Sequence, residues 1–156
     1  MLRFLKIAVP VFILGFAAGN AFWYLFSPLW IDRVVSEVAP IGAQSTGRVG
    51  TFKDADAAHK GSGKAELLKL GGADILRFTN FQVTNGPDLE VWLVEAPTPQ
   101  NSSDVKNSKW LSLGVLKGNK GDQSYQIPQG TDLSKYGSAV IWCEQFGVLF
   151  ASATLK

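Results

Sequence analysis

One stretch near the N-terminus constrains this chain more than any other feature. Residues 7–26 read IAVPVFILGFAAGNAFWYLF and contain no charged side chain. A helix of about 20 apolar residues is what crosses the roughly 30 Å hydrocarbon core of a bilayer. Arg3 and Lys6 precede the stretch, and aromatic residues such as Trp23 and Trp30 crowd its far end. This asymmetry predicts a membrane anchor with its N-terminus in the cytoplasm and the rest of the chain outside.

A cleaved secretory signal is the alternative interpretation of the same stretch. Ala17, Ala18, Gly19 and Ala21 are small residues of the kind that peptidase sites contain. The apolar run continues past them to Phe26, and this length favours an uncleaved anchor. We therefore predict a single-pass protein of the cytoplasmic membrane whose C-terminal part is periplasmic or extracellular.

The remainder of the chain has the composition of one folded domain with balanced charge. All 13 acidic residues and all but two of the 15 basic ones follow residue 30. Scattered charges of both signs give no basic face for nucleic acid. Residues 31–47 contain Pro40, Gly42 and Gly47 and show little pattern, which predicts a linker. The expected organisation is an anchor over residues 1–30, this linker, and a folded domain over 48–156.

Short β-type runs and turn clusters alternate through the domain. The turn clusters contain residues that accept positive φ, namely Gly71-Gly72, Asn85-Gly86 and Gly118-Asn119-Lys120-Gly121. The expected strands are 48–53, 64–70, 75–83, 89–96, 110–117, 123–128, 138–143 and 148–155. The pattern predicts an all-β, antiparallel sandwich or barrel-like domain whose turns are hairpins.

The third of these runs changes parity along its length. Leu76 and Phe78 fall on one face of a strand, whereas Phe81 and Val83 fall on the other. One extra residue in the strand restores all four to the same face, so the run predicts a β-bulge near Asn80.

The last two runs predict a buried hairpin around the only cysteine. With residues 144–147 as its loop, the hairpin pairs Cys143 with Val148, Ile141 with Phe150, and Ala139 with Ser152. Both faces of the hairpin are apolar. We therefore expect it to be central in its sheet, with Cys143 near the end of a buried strand.

Several patterns that look like catalytic motifs lack their necessary partners. The segment Gly61-Ser62-Gly63-Lys64 has neither the earlier glycine nor the following Ser or Thr of a phosphate-binding loop. Ser103 and Lys106 have the spacing of a serine acyltransferase pair, but their Asn- and Ser-rich surroundings favour a solvated loop. A single histidine without a nucleophile elbow leaves hydrolysis unsupported. The chain is not expected to be an enzyme by itself.

Cys143 and His59 are the residues whose chemistry remains open. One cysteine excludes an intrachain disulfide, and a free thiol in an oxidising compartment is either a buried core residue or a functional one. As a functional residue, Cys143 would ligate haem or copper, with His59 as a candidate second ligand, or would react as a thiol. His59 lies in a polar segment, where a solvated loop residue is the simpler interpretation.

A set of ordered motifs then points to a family. These motifs are Gly50-Thr51-Phe52, His59, Leu76-Arg77-Phe78, Asn85-Gly86-Pro87-Asp88-Leu89, Leu113 to Asn119 with Gly118 and Gly121, Ile127-Pro128, and Val140-Ile141-Trp142-Cys143. From about residue 48 to the C-terminus, the chain resembles the DM13 domain family in the order and spacing of these motifs.

The resemblance implies a fold and a function. The fold is an all-β sandwich related in architecture to the DOMON domains, which bind haem and sugars. The function is electron transfer, with the cysteine of the I-W-C motif, here Cys143, as the proposed redox centre. No cytochrome b-type helices or DOMON module accompany the domain in this sequence, so an electron partner would be a separate protein. A lone thiol also needs a partner cysteine for two-electron cycling, whereas a metal or haem would permit one-electron transfer.

Two classes of function remain open at this point. In the first, the domain is an anchored redox carrier whose Cys143, with or without His59, holds or approaches a cofactor. In the second, it is an anchored binding module that presents Trp92, Trp110 and Tyr125 to a protein or glycan, and the cysteine only packs.

Overall fold

The computed structural model describes residues 2–27 and 30–156, and it divides into two compact units, the second of which begins at Asp32. The N-terminal unit contains helix α1 (Leu2–Phe26). The one amide in its apolar run, Asn20, donates a hydrogen bond from Nδ2 to the carbonyl O of Phe16 at 2.7 Å, which satisfies the donor within the helix. α1 is long and apolar enough to span a membrane, and a secretory signal sequence meets the same criterion.

The second unit is a sandwich of two five-stranded sheets, which confirms the all-β prediction. Its strands are β1 (Val34–Ser36), β2 (Gln44–Thr51), β3 (Lys53–Asp54), β4 (Gly61–Leu70), β5 (Ala73–Val83), β6 (Leu89–Val94), β7 (Trp110–Val115), β8 (Lys120–Ile127), β9 (Ser138–Cys143) and β10 (Val148–Thr154). The first sheet has the order β1-β8-β5-β4-β2, and the second has the order β3-β10-β9-β6-β7. The pairing of β1 with β8 is parallel, and the other strand pairs are antiparallel.

Apolar side chains from the facing sides of both sheets form one core between them. Phe52, Phe78 and Phe81 meet there with ring centroids 4.9–5.0 Å apart. Phe78 and Phe81 are both buried because the pairing of β5 with β8 shifts between Phe78 and Gln82. Within this shift Asn80 adopts a φ of 49°. The bulge predicted near Asn80 is therefore confirmed.

Two of the predicted turns are hairpins. Gly71 and Gly72, both with positive φ, join β4 to β5. Residues 144–147 join β9 to β10, and Cys143 lies opposite Val148 as the hairpin register predicts. β9 is in the middle of its sheet, and all six of its residues are buried.

The register of that second hairpin differs from the prediction beyond its first pairs. The pairing shifts after Leu149, so that Phe150 is bulged out of the ladder. Ile141 therefore pairs with Ala151 instead of Phe150, and Ala139 with Ala153 instead of Ser152. The bulge lets Phe150 and Ala151 both reach the core between the sheets.

The other two turns predicted as hairpins are wrong. Asn85-Gly86 lies between β5 and β6, and residues 118–121 follow β7 and run into β8; in each case the two strands belong to different sheets. The chain crosses from one sheet to the other at both places. Glycine and asparagine suit tight crossings as well as hairpins, so turn residues alone do not distinguish the two.

The prediction of a linker over residues 31–47 is also corrected. Strand β1 pairs with β8, and β2 begins at Gln44. Because β1 and β2 lie at opposite edges of the first sheet, the chain between them crosses the outer face of that sheet. We call residues 32–43 the strap. Polar contacts rather than an apolar stripe hold it, which is why its sequence shows no strand pattern.

The outer face of the second sheet is covered by residues 95–109. Within this connection, helix α2 (Ser102–Lys106) is capped by Asn101, whose side chain accepts hydrogen bonds from two N–H groups of the first turn. Val105 packs in a second apolar cluster with Trp92, Val94, Val140, Trp142 and Leu149. The expectation of a solvated loop at Ser103–Lys106 is wrong because an N-cap and one buried valine stabilise a short helix.

Candidate functional site

Cys143 is the last residue of β9 and is completely buried. It lies between Leu89 of β6 and Val148 of β10, and its side chain belongs to the core between the sheets. The thiol donates a hydrogen bond to the carbonyl O of Pro87, 3.0 Å from Sγ. The sulfur therefore contacts the Asn85–Asp88 motif, which covers it.

The surroundings of Cys143 keep its sulfur protonated. Burial raises the pKa of the thiol, and the negative charges of Asp88 and Glu144 raise it further, while the N–H groups of Phe146 and Gln145 act in the opposite direction. The thiolate is the form that attacks a disulfide or binds a metal. In the structure the sulfur instead serves as a hydrogen-bond donor. The structure therefore holds Cys143 as a buried, hydrogen-bonded thiol.

Residues 85–88 form that cover as they cross from β5 to β6. Gly86 packs so closely on Phe150 that a Cβ at this position would lie 2.6 Å from the ring atom Cζ. Asp88 has a φ of 51°, which is uncommon for a residue with a side chain. In this motif Gly86 permits the close packing, Pro87 supplies the acceptor for the thiol, and Asp88 turns the chain into β6.

His59 lies against the same phenylalanine. The ring centroids of His59 and Phe150 are 4.2 Å apart. Its Nδ1 is 2.7 Å from Oδ2 of Asp56, and this hydrogen bond is the main cause that lowers the pKa of Asp56 to about 2. His59 and Gly86 therefore both pack against Phe150.

Cys143 and His59 do not form a ligand pair in this arrangement. The thiol is bonded to Pro87 and the imidazole to Asp56. Over residues 2–27 and 30–156, no group of three His, Cys, Asp or Glu side chains is arranged to hold a metal ion. Cys143 and His59 therefore supply no common site for haem or copper in this arrangement. The chemistry that its surroundings support is that of a thiol.

A second family motif, residues 118–121, accommodates the strap through its glycines. A Cβ on Gly118 would lie 2.4 Å from the carbonyl O of Arg33. A Cβ on Gly121, which has a φ of 96°, would lie 2.0 Å from the carbonyl O of Val35. Both positions therefore require glycine because β1 approaches β8 so closely.

Asn85 and Asn119, one from each motif, meet at Asp32. The Asn119 side chain accepts from the N–H of Arg33 at 2.6 Å and donates to Oδ1 of Asp32 at 2.7 Å, while Asn85 donates to the same oxygen at 3.5 Å. Lys120 pairs with the other carboxylate oxygen, and the hydrogen bonds from Lys120 and Asn119 lower the pKa of Asp32. These residues line a polar cleft of about 370 Å³.

Comparison with known families covers most of the second unit. Residues 51–155, more than half of the chain, match the family described as Electron transfer DM13. The chain belongs to the DM13 family. The matched range contains Cys143, His59 and both motifs, so the resemblance drawn from the sequence is confirmed. No curated protein and no solved structure matches the chain.

In the DM13 domain, the tryptophan of the I-W-C motif faces away from the thiol. Trp142 lies in the outer cluster of the second sheet, whereas Cys143 lies in the core between the sheets. The Trp142 ring stacks on Trp92 with centroids 5.2 Å apart, and Trp92 stacks on Trp110 at 3.9 Å with planes 12° apart. Trp110 is 48% exposed. The three rings form a continuous stack from a buried position to the surface.

Of the three aromatic residues expected to form a recognition surface, only Trp110 is available at the surface. Trp92 and Tyr125 are buried, and only Trp110 is exposed. Trp92 donates from Nε1 to the carboxylate of Glu90 at 2.7 Å, and Tyr125 donates to the side chain of Gln123 at 2.7 Å. Both buried rings are therefore fixed by their polar ends.

The residues that hold the strap to the DM13 domain were missed from the sequence. Arg77 is 4% exposed, and its guanidinium donates to the carbonyl O of Glu37 at 2.7 Å and to the carboxylate of Asp122 at 3.1 Å. The Glu37 carboxylate accepts from Nζ of Lys117 at 2.7 Å and from the N–H of Ser124 at 2.8 Å. The one sequence signal was an arginine set between two apolar residues of β5.

Proposed function

We propose that this protein is a membrane-anchored, extracytoplasmic electron-transfer module in which Cys143 is the redox-active group. Membership in an electron-transfer family supports the general function. The apolar α1, with Arg3 and Lys6 at its start, supports an anchor with the DM13 domain outside the cytoplasm. The contact between Sγ of Cys143 and the carbonyl O of Pro87 carries the assignment, because it joins the only thiol to a family motif.

The proposed reaction is thiol–disulfide exchange with separate proteins. Cys143 loses its proton to solvent, and the thiolate attacks a disulfide in an acceptor protein, which forms a mixed disulfide and releases one acceptor thiolate. A dithiol donor then attacks the sulfur of Cys143, frees the second acceptor thiol, and forms its own mixed disulfide. The second thiol of the donor closes the donor disulfide and releases Cys143 as a thiol. Two electrons and two protons thus pass from donor to acceptor.

The exchange requires the motif over the sulfur to move. Residues Asn85 to Pro87 are half-buried and Asp88 is exposed, whereas the strand that carries Cys143 is buried throughout. Displacing this segment removes the Pro87 acceptor, breaks the hydrogen bond from the N–H of Glu144 to the carbonyl O of Asp88, and opens the sulfur. Access to the thiol is therefore controlled by the motif.

A binding module is the second candidate function. Complete burial of Cys143 and its raised pKa favour a structural cysteine. Trp110, half exposed on top of the buried stack, offers a rigid aromatic contact for a protein or glycan. In this case the partner binds at β7, and the motif over the thiol stays closed.

Trapping of the thiol in the native membrane distinguishes the two candidates. Cells are quenched with acid, free thiols are alkylated, and the full-length protein is analysed by intact mass with and without reduction. The redox candidate expects a mixed disulfide at Cys143 that Cys143→Ser abolishes and Trp110→Ala leaves in place. If Cys143 is recovered only as a free thiol and Trp110→Ala alone removes a bound partner, the binding module is the correct function. Circular dichroism of each variant controls for folding.

A further inference from the structure

The polar side chains of the strap turn toward the domain. Asp32 is held by Asn119 and Lys120, and its carboxylate is directed into the cleft that they line. Glu37 is bonded through its carboxylate to Lys117 and to the backbone of β8. Both carboxylates of the strap thus form hydrogen bonds or ion pairs with the domain.

The large apolar side chains of the strap turn the opposite way. Val34 is 69% exposed, Val38 is 85% exposed and Ile41 is 93% exposed. A surface segment in water normally has its charged groups outside and its apolar groups inside. Three large apolar side chains of the strap depart from this pattern, in a segment where Asp32 and Arg33 are also exposed.

This exposure belongs to an ordered segment. The N–H of Glu37 donates to the carbonyl O of Asp122 at 2.9 Å, and the guanidinium of the buried Arg77 donates to the carbonyl O of Glu37. Strands at opposite edges of one sheet fix both ends of the strap. Several large apolar side chains exposed on one hydrogen-bonded segment are typical of a surface that meets something other than water.

Chain connectivity identifies what that surface meets. Among the surfaces of the domain, the strap is the nearest along the chain to α1, and Val34 follows the end of that helix by eight residues. Between them lies Trp30, an exposed residue of the type that concentrates at membrane interfaces. Arg33 is exposed in the strap and carries the charge that anionic headgroups attract.

We propose that the strap is a membrane-contact surface whose Val34, Val38 and Ile41 enter the interfacial layer of the bilayer that holds α1. This inference rests on the proposed anchoring of the chain. The bilayer takes up the apolar side chains, while the acidic groups that would be repelled by anionic lipids stay bonded to the domain. The strap thereby holds the domain at the membrane surface.

Site-specific fluorescence in vesicles tests the proposal. The full chain with Cys143→Ser carries a single new cysteine, Val38→Cys or Ile41→Cys, labelled with an environment-sensitive nitrobenzoxadiazole dye. The matched control is Ser103→Cys, an exposed position of α2 on the outer face of the other sheet. The proteins are reconstituted in vesicles of phosphatidylcholine and phosphatidylglycerol with and without lipids spin-labelled near the headgroup.

The proposal expects blue-shifted emission from the dye at positions 38 and 41 and strong quenching by the spin-labelled lipid, with neither effect at position 103. Equal, water-like spectra at all three positions in a protein that resists alkaline carbonate extraction would overturn the membrane contact of the strap. The proposed anchoring through α1 would still hold. Release of the protein by carbonate would contradict the proposed anchoring, and the membrane contact of the strap, which rests on it, would fail as well. A blue shift without lipid quenching, together with crosslinking between copies through position 38, would assign the surface to a protein contact and also overturn the proposal.

Discussion

The outer faces of the two sheets are both covered, but by opposite kinds of contact. On the second sheet, α2 and its flanks bury Trp92, Trp142 and Val105 in an apolar cluster. On the first sheet, the strap is held by hydrogen bonds and ion pairs such as those of Glu37 and Arg77. Apolar packing does not depend on ionisation or on charge screening, whereas contacts of partly exposed carboxylates depend on both. The two covers of one sandwich therefore respond to different conditions.

The largest expected effect is loss of the apolar cover on Trp142→Ala. Removing a buried indole leaves a cavity and should lower the free energy of unfolding by about 3–5 kcal/mol. Trp110→Ala removes the exposed member of the same stack and should cost about 1 kcal/mol. Urea unfolding of the full chain in detergent, followed by far-ultraviolet circular dichroism, measures both. Equal losses would mean that the stack, rather than burial, stabilises this face.

The next largest effect on stability is expected at Gly121, which the strap contacts closely. Gly121 and Gly114 both have a φ of 96°, but only Gly121 is in close contact with the strap. An alanine at either position strains the backbone by about 1–2 kcal/mol. Gly121→Ala should cost about 2 kcal/mol more than Gly114→Ala because β1 is displaced.

Hydrogen exchange locates the difference between these two variants. The amides of β1 should lose protection in Gly121→Ala and keep it in Gly114→Ala. If both variants lower stability equally and β1 stays protected in each, the placement of the strap does not depend on a glycine at position 121.

A smaller effect is expected from the carboxylate of Glu37. Burial alone would raise the pKa of Glu37, but hydrogen bonds from Lys117 and Ser124 outweigh it and lower the pKa below the ordinary value of 4.5. A lowered pKa stabilises the fold above the unfolded value, and this contribution is lost as pH falls through the folded value. Glu37→Gln should therefore cost about 0.5–1 kcal/mol at pH 7, discounted for its partial exposure, and less at about pH 3, as the pH falls toward the folded value.

The pH dependence of that variant is measured by chemical unfolding at both pH values. Trp110→Ala is the control, since its cost should be the same at either pH. A Glu37→Gln difference that persists undiminished at the lower pH would show that the glutamate acts through packing instead of charge.

The smallest effect is the response of the strap to salt. Screening weakens exposed ion pairs such as Lys120 with Asp32, but it leaves apolar contacts intact. Raising the ionic strength should reduce exchange protection of the β1 amides slightly and leave that of Val105 in α2 unchanged. A uniform change over both segments would remove the distinction between the two covers.

The parts of the fold that the sequence predicted are those in which burial imposes a local period. Apolar residues on both faces of β9 predicted a central strand, and the change of parity across Asn80 predicted a bulge, because each depends only on neighbouring residues. The hairpin at Gly71-Gly72 followed for the same reason. The bulge at Phe150 had no such signal, since its flanking residues are apolar at every position.

The candidate site was predicted less completely because it is built from distant segments. Burial of Cys143 followed from its own hairpin, but its acceptor, Pro87, lies in a turn that the sequence suggested was a hairpin. The strap was missed because its partners are far along the chain; the amide of Asn119 that holds Asp32 is 87 residues away. Polar contacts over such distances leave no periodic trace.

The parallel pairing of β1 with β8 also sets an order of assembly. Arg33 and Asn119, whose hydrogen bond opens this pairing, are 86 residues apart. β1 has no ladder to join until β8 has been added to the sheet, and contacts of such long sequence separation form late because chain closure precedes their gain. The first strand of the domain to be synthesised therefore finds its place only after β8, and an incomplete domain leaves the edge of β8 open.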